Sequence, residues 1–292
     1  MMMQYHFSCR RLVGSFLVLT LTFGILTPEL AGQSGSDFVL RASGADVDYS
    51  TNNPTSYGFN TVISAHQVTG VIAQAQGYSL GVGNDPTLMI PTGLTTLLGT
   101  PDGQEIAFDD VDIYPEGVTQ GVVLCFTGCF TVTFEVETAL LGVSYQLLDG
   151  PLTGTTTATS TSLDLVDTLG LPPVVNVLVI GGASFIPTLA SGAVTLTPHD
   201  GPPMIRGDVT VDGVLDLTDG VEILQYLFNS APATCLDALD ADDSGTVSIN
   251  DAIRVLCSLY CAGSPPPESP FPACGFDSTA DSLDCLAFSG CP

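Results

Sequence analysis

A mainly β N-terminal sandwich followed by a small all-α domain with a disulfide-bearing tail is the fold class this sequence predicts. Three observations carry it. Strand-length stretches separated by turn residues fill residues 37–198, a loop-and-helix pattern occurs twice at a displacement of 32 residues, and six cysteines gather in and behind that repeat. Composition agrees: 45% hydrophobic and 12% charged residues describe a chain that packs a core, while 31 glycines and 20 prolines favour many turns over long helices.

In chain order, the first element is a leader. Arg10 and Arg11 precede an apolar stretch from Leu12 to Leu26, with Pro28 beyond it and the small residues Ala31 and Gly32 at its end. That is the layout of a secretory signal peptide over residues 1–31, too short to span a bilayer comfortably. No later segment is long and apolar enough to span, so the expectation is a secreted or cell-surface protein with no membrane span after cleavage. Cysteine usage agrees, since loss of Cys9 from the nine leaves an even number for an oxidising compartment.

Five arginines and no lysine stand against 31 acidic side chains, a formal charge of −26. Nucleic acid and anionic membranes would be repelled by such a surface, whereas cations are its natural ligands. Solubility is the plainer use of the same charge.

Between Asp37 and Pro198 lie "FVLRAS", "FNTVISAH", "VIAQAQGYSLGV", "EIAFDDVDI", "GVVLCF", "FTVTFEVE", "LGVSYQLL", "TSLDLVD", "VVNVLVI" and "GAVTLTP". Each is strand-length and rich in β-branched or aromatic residues, which together predict a sandwich or jelly roll. The Thr-rich run from Leu152 to Ser162 reads as an exposed strand, with a glycosylated surface segment as the alternative. Cys125 and Cys129 flank a three-residue loop and are expected to form a cross-strand disulfide.

Catalysis finds little support here. Asp109, Asp110 and Asp112 beside Tyr114 could supply a general acid and base for glycoside cleavage, in a chain where acids are abundant throughout. His66 and His199 stand apart, with no serine elbow or histidine pair near them. With no tryptophan, a sugar platform would rest on Tyr57, Tyr78 and Tyr145, which at strand spacing are equally packing residues.

Pro202 and Pro203 end the β region, making residues 199–204 a linker, residues 205–261 the second domain and residues 262–292 a Pro-rich, cysteine-containing tail. In the second domain Asp208, Asp212, Gly213, Asp216 and Asp219 fall on Asp240, Ser244, Gly245, Ser248 and Asp251. Leu217, Val221, Leu224 and Phe228 fall on Ile249, Ile253, Leu256 and Tyr260, an apolar stripe expected to be the core face of each helix. Thr218 and Asn250 are the expected N-caps.

A calcium loop needs oxygens at positions 1, 3, 5, 7, 9 and 12 and a glycine at 6 for the turn. The first loop supplies Asp208, Thr210, Asp212, the Val214 carbonyl, Asp216 and Asp219. The second supplies Asp240, Asp242, Ser244, the Thr246 carbonyl, Ser248 and Asp251. Two calcium ions are therefore expected. A neutral hydroxyl at position 3 or 5, and Asp rather than Glu at 12, should weaken affinity.

Paired loop-plus-helix units over residues 205–261, with no full helix ahead of either loop, resemble the dockerin family. That resemblance implies calcium-dependent folding and docking onto a cohesin-like module, usually within polysaccharide-degrading assemblies. Positions 10 and 11, which choose the partner there, are Leu217-Thr218 and Ile249-Asn250 here, without the family's Ser-Thr pair. "GYSLGVGNDPTLM", residues 77–89, is similar to a strand of the cohesin-like sandwich, which implies a cohesin-like or carbohydrate-binding-module-like fold. The expected function is a secreted, non-enzymatic adhesion or scaffold protein with a calcium-dependent docking module, its partner a cohesin-like module on another protein or on another copy of this chain. The alternative is a polysaccharide-binding or polysaccharide-degrading component tethered through that module.

Cys235, Cys257, Cys261, Cys274, Cys285 and Cys291 allow many connectivities, and a zinc site at Cys257 and Cys261 is the alternative to oxidation.

Overall fold

The computed structural model describes residues 34–292 apart from 70–72, 102–103, 127–129, 280 and 292. The expected leader, residues 1–31, and Cys129 of the expected Cys125–Cys129 bridge lie outside the described residues. Among the described residues no helix is long and apolar enough to cross a membrane.

Two sheets make up the sandwich. Its strands are β1 (Phe38–Ala42), β2 (Ala45–Ser50), β3 (Gly58–Gln67), β4 (Ala75–Gly83), β5 (Met89–Thr96), β6 (Phe108–Tyr114), β7 (Gly117–Val123), β8 (Thr138–Leu147), β9 (Thr159–Leu165), β10 (Val177–Ile180), β11 (Ala183–Phe185), β12 (Thr188–Ala190) and β13 (Gly192–His199). One sheet runs β12-β1-β3-β8-β5; the other runs β11-β10-β4-β9-β13-β2, with β7 pairing β4 and β6 pairing β7. Alternation explains the packing: along β1, Phe38, Leu40 and Ala42 are buried while Arg41 faces out. Leu40, Ile63, Leu80, Leu141, Leu163 and Leu196 from both sheets meet in one core.

The chain changes sheets twice at one corner. β1 pairs β12 in parallel and β2 pairs β13 in parallel, so both crossings occur side by side. Gly44 and Gly192 sit at the crossings, where a Cβ would lie 2.3 Å from the Ala193 carbonyl oxygen and 2.4 Å from that of Ser43. Only glycine tolerates that approach.

Several expected strands shift. "FTVTFEVE" forms only an isolated bridge at Val132, because its backbone is divided between sheets: Val132 exchanges bonds with Ala75 at the start of β4, while Phe134 accepts from Gln67 at the end of β3. Phe130 and Phe134 are buried all the same. The Thr-rich run turns first and becomes strand only from Thr159. β2 and β5 escape a propensity reading because one carries Asp46 and Asp48 and the other Pro91, residues an edge strand accepts.

Beyond Pro198 come α1 (Leu217–Asn229), the short α2 (Leu236–Leu239) and α3 (Ile249–Tyr260). Ile223, Leu239, Ala241, Ala252 and Val255 form the core between them. The expected core stripe is corrected here. Leu217, Val221, Phe228, Ile249, Ile253 and Tyr260 are exposed, between 38% and 69%, and of the eight only Leu224 and Leu256 are drawn inward. The cause is a small residue: α1 meets α3 at Gly220, where a Cβ would stand 2.8 Å from Leu256 Cδ2. This close approach turns the Gly220 and Ile223 side of α1, rather than the Leu217 side, toward its neighbour.

The tail folds back. Cys235, just ahead of α2, is bonded to Cys285, Cys274 to Cys291, and Cys257 to Cys261, so the latter two are oxidised rather than arranged for zinc. Arg254 on α3 donates from Nε to the Pro266 carbonyl (2.9 Å) and ion-pairs with Glu268. Phe276 stacks on His199 at the end of β13, ring centroids 4.3 Å apart, and His199 Nε2 lies 2.9 Å from an Asp48 carboxylate oxygen. Tail, linker and the sandwich end thus share one contact region.

Candidate metal centre

Each expected loop is built by the same backbone. Val211 and Asp243, at position 4, have φ of 59° and 54°, and Gly213 and Gly245, at position 6, have φ of 81° and 78°. The two left-handed residues coil the chain inward, the glycine at no steric cost and the non-glycine at a small one. Hydrogen bonds repeat as well. Gly213 N donates to Asp208 (2.9 Å) and Gly245 N to Asp240 (2.7 Å), both position 1 carboxylates that are fully buried.

The position 12 acids begin the helices. Asp219 accepts from the backbone of Asp216 (2.8 Å) and of Thr210 (3.0 Å), and Asp251 from that of Ser248 (2.7 Å) and of Asp242 (3.1 Å). These bonds close capping boxes with Asp216 and Ser248, which are the N-caps. Thr218 and Asn250 are not: as the first-turn donors they give their N–H groups to Asp216 Oδ1 (2.7 Å) and Ser248 Oγ (3.1 Å). Helices that start inside the loops make position 9, an expected ligand, the cap of its helix.

In the second loop carboxylate oxygens of Asp240, Asp242 and Asp251 lie within 4.8 Å of one another. Asp242 Oδ1 is buried without a hydrogen-bond partner. Burial, reinforced by Asp242 and Asp240, pushes the Asp251 carboxyl up to about 6. A hard, all-oxygen donor set with an orphaned carboxylate oxygen fits calcium. Ser244 Oγ and the Thr246 carbonyl oxygen are 3.3 Å apart beside it, and Ser248 completes the expected set.

The first loop follows the same path with less charge. Thr210 occupies position 3 and gives its hydroxyl to Asp219 (3.0 Å), so Asp208, Asp212 and Asp219 do not form a comparable trio among the described residues. Asp212 accepts from Val214 N (2.9 Å), whose carbonyl is the expected position 7 ligand. Burial raises the Asp208 carboxyl above its ordinary range, and Thr218 holds that of Asp216 below it.

Sequence reasoning missed two neighbours of the second loop. Asp243 and the tail's Asp281 approach Asp240 within 4.8 Å. Arg206, 1% exposed, ion-pairs with Asp243 (2.9 Å) and the tail's Asp277 (2.7 Å), and donates to the carbonyls of Asp237, Asp240 and Ser269. The one cue was an arginine in a chain almost without cations.

The sandwich candidates lie elsewhere. Tyr78 and Tyr145 are core residues, and Tyr57 packs beside Phe276. Asp109 accepts from Thr96 and Gln120 (2.5 and 2.9 Å), while Asp112 meets Tyr114 (3.3 Å), so Asp109 and Asp112 are engaged locally.

No protein-family profile and no curated protein matches the chain. Solved structures do. The chain is similar to a type I cohesin–dockerin complex from Clostridium thermocellum at 8% identity, over 57% of this chain and 98% of that one, with a TM-score of 0.42. It is similar to the cohesin module of a family 33 glycoside hydrolase from Clostridium perfringens at 11% identity, over 57% and 100%, with a TM-score of 0.39. A type I cohesin from Pseudobacteroides cellulosolvens is similar at 10% identity, over 55% and 92%, with a TM-score of 0.39.

Proposed function

We propose that this is a secreted, non-catalytic scaffold or adhesion protein whose second domain docks onto another protein in a calcium-dependent manner. The observation that carries the reading is the displaced apolar stripe. Leu217, Val221 and Phe228 on α1, and Ile249, Ile253 and Tyr260 on α3, face solvent although their helices have a core to pack against. Exposed apolar residues lined up on paired helices are what a protein interface uses.

Calcium enters through the loops. Asp208, Thr210, Asp212, Asp216 and Asp219, with the Val214 carbonyl, would hold one ion; Asp240, Asp242, Ser244, Ser248 and Asp251, with the Thr246 carbonyl, would hold the other. Bound there, it neutralises crowded carboxylates and pins each helix start to its loop. Leu217 and Ile249 follow their caps directly, so fixing the caps fixes the first residues of the stripe.

The partner is a protein module with a complementary apolar face, of the cohesin-like kind, on another protein or another copy of this chain. A pull-down from the native secretome on immobilised mature protein tests this. Capture of a discrete partner in calcium, lost with chelator and lost with the pair Leu217→Ser and Ile249→Ser, is expected. Capture that is indifferent to both overturns it.

A further inference from the structure

We propose that Asp237, Asp277 and Asp281 form a third divalent-cation site, outside both repeat loops, that ties the tail to the segment between the helices. The three carboxylates come from two places distant in sequence: Asp237 from α2, and Asp277 and Asp281 from the returning tail. Their oxygens nonetheless lie within 4.8 Å of one another. Asp237 is 6% exposed, and its Oδ1 is buried with no hydrogen-bond partner. An ionised, orphaned carboxylate in such a place is costly unless a charge compensates it.

The guanidinium nearby offsets that charge only in part, outweighed by burial and by the Asp277 and Asp281 carboxylates. Arg206 ion-pairs with Asp243 and Asp277 and takes only the backbone carbonyl of Asp237, at 3.1 Å. One cation thus serves a cluster holding Asp237, Asp243, Asp277 and Asp281. The tail acids also keep donor capacity, because Asp277 accepts from Arg206 and Thr279 N, and Asp281 from Leu283 N, at their Oδ1 atoms. Ions can reach the trio. A cleft of about 370 Å³ between the end of β13 and the tail is lined by His199, Asp200, Met204, Asp237, Asp277 and Asp281.

Hard oxygen donors with no nitrogen or sulfur among them select calcium or magnesium, and the flexible placement of two donors on a tail suits calcium's tolerance of irregular geometry. The Cys235–Cys285 bridge closes the same junction covalently, two residues before Asp237 and four after Asp281.

The test counts calcium ions by native mass spectrometry and calorimetric titration on the mature chain, beside the isosteric changes Asp237→Asn and Asp281→Asn. Each variant is expected to bind one ion fewer than the parent and to lose calcium protection of the tail against limited proteolysis. An unchanged ion count in both overturns the proposal, as does a higher melting temperature in Asp237→Asn without a change in count. Asp281 also lies near Asp240 of the second loop, so Asp281→Asn is read beside Asp240→Ala and the double variant. A double variant that loses one ion more than Asp240→Ala supports the third site even should Asp237→Asn fold poorly, and one that loses no more overturns it. The reading is the ion lost, not the total, so failure of the repeat loops to bind calcium would leave it intact.

Discussion

At the scale of single residues, the loops are acids held near acids, and pH exposes the consequence. Asp251 has its carboxyl raised from 3.8 to about 6, mainly by burial. A group whose folded pKa lies above its unfolded value destabilises the fold when ionised. The chelated protein should therefore gain stability as pH falls from about 7 toward 4, the gain beginning near 6 and complete below the unfolded value. Calcium requires the ionised form, so its stabilising increment should run oppositely. Scanning calorimetry with calcium and with chelator should show melting temperatures well apart at pH 7.5 and converging by pH 5. At a hundredfold excess over the dissociation constant one ion contributes about 2.7 kcal/mol, enough for the separation to be plain. The path of the loops was legible in the sequence because the turn needs a glycine at a fixed position and the two loops agree in register. The acids of the neighbouring cluster were not, because Asp237, Asp277 and Asp281 share no spacing and meet only when the tail returns.

Among the elements, helix orientation is what the sequence concealed. α1 carries Leu217, Val221, Ile223, Leu224, Leu227 and Phe228, an apolar set too broad for periodicity to say which side packs. The deciding residue was Gly220, whose missing side chain lets α3 approach. Gly220→Ala should expose this. Helix propensity would gain about 1 kcal/mol, but overpacking against Leu256 costs about 1–3 kcal/mol, so the net should be a loss of stability. Chemical denaturation of parent and variant measures it; a more stable variant would mean the helices can spread apart freely. Strands show the same division. Buried β1, β3 and β8 stand out by β-branched and aromatic residues, whereas edge strands β2 and β5 hide behind Asp46, Asp48 and Pro91, because an edge rewards charge and tolerates proline.

For the molecule as a whole, the tail is a fastener. Cys235 and Cys285 close a loop of 50 residues, which in chain-entropy terms stabilises by about 4 kcal/mol. Replacing both with serine should lower stability by about 2–4 kcal/mol and open the tail to protease, as denaturation and limited digestion would record. A variant as stable as the parent would show that Arg206 and its acids hold the tail unaided. Cysteine positions alone offered no choice among pairings, and only the folded path selects this one.

The paired crossings at Gly44 and Gly192 set how the sandwich bears load. β1 runs parallel to β12 and β2 to β13. Tension applied between Phe38 and His199 acts along these ladders rather than across them. Their hydrogen bonds should then yield together instead of peeling singly, so the corner that lies between chain entry at Phe38 and chain exit at His199 is the part of the sandwich expected to resist tension.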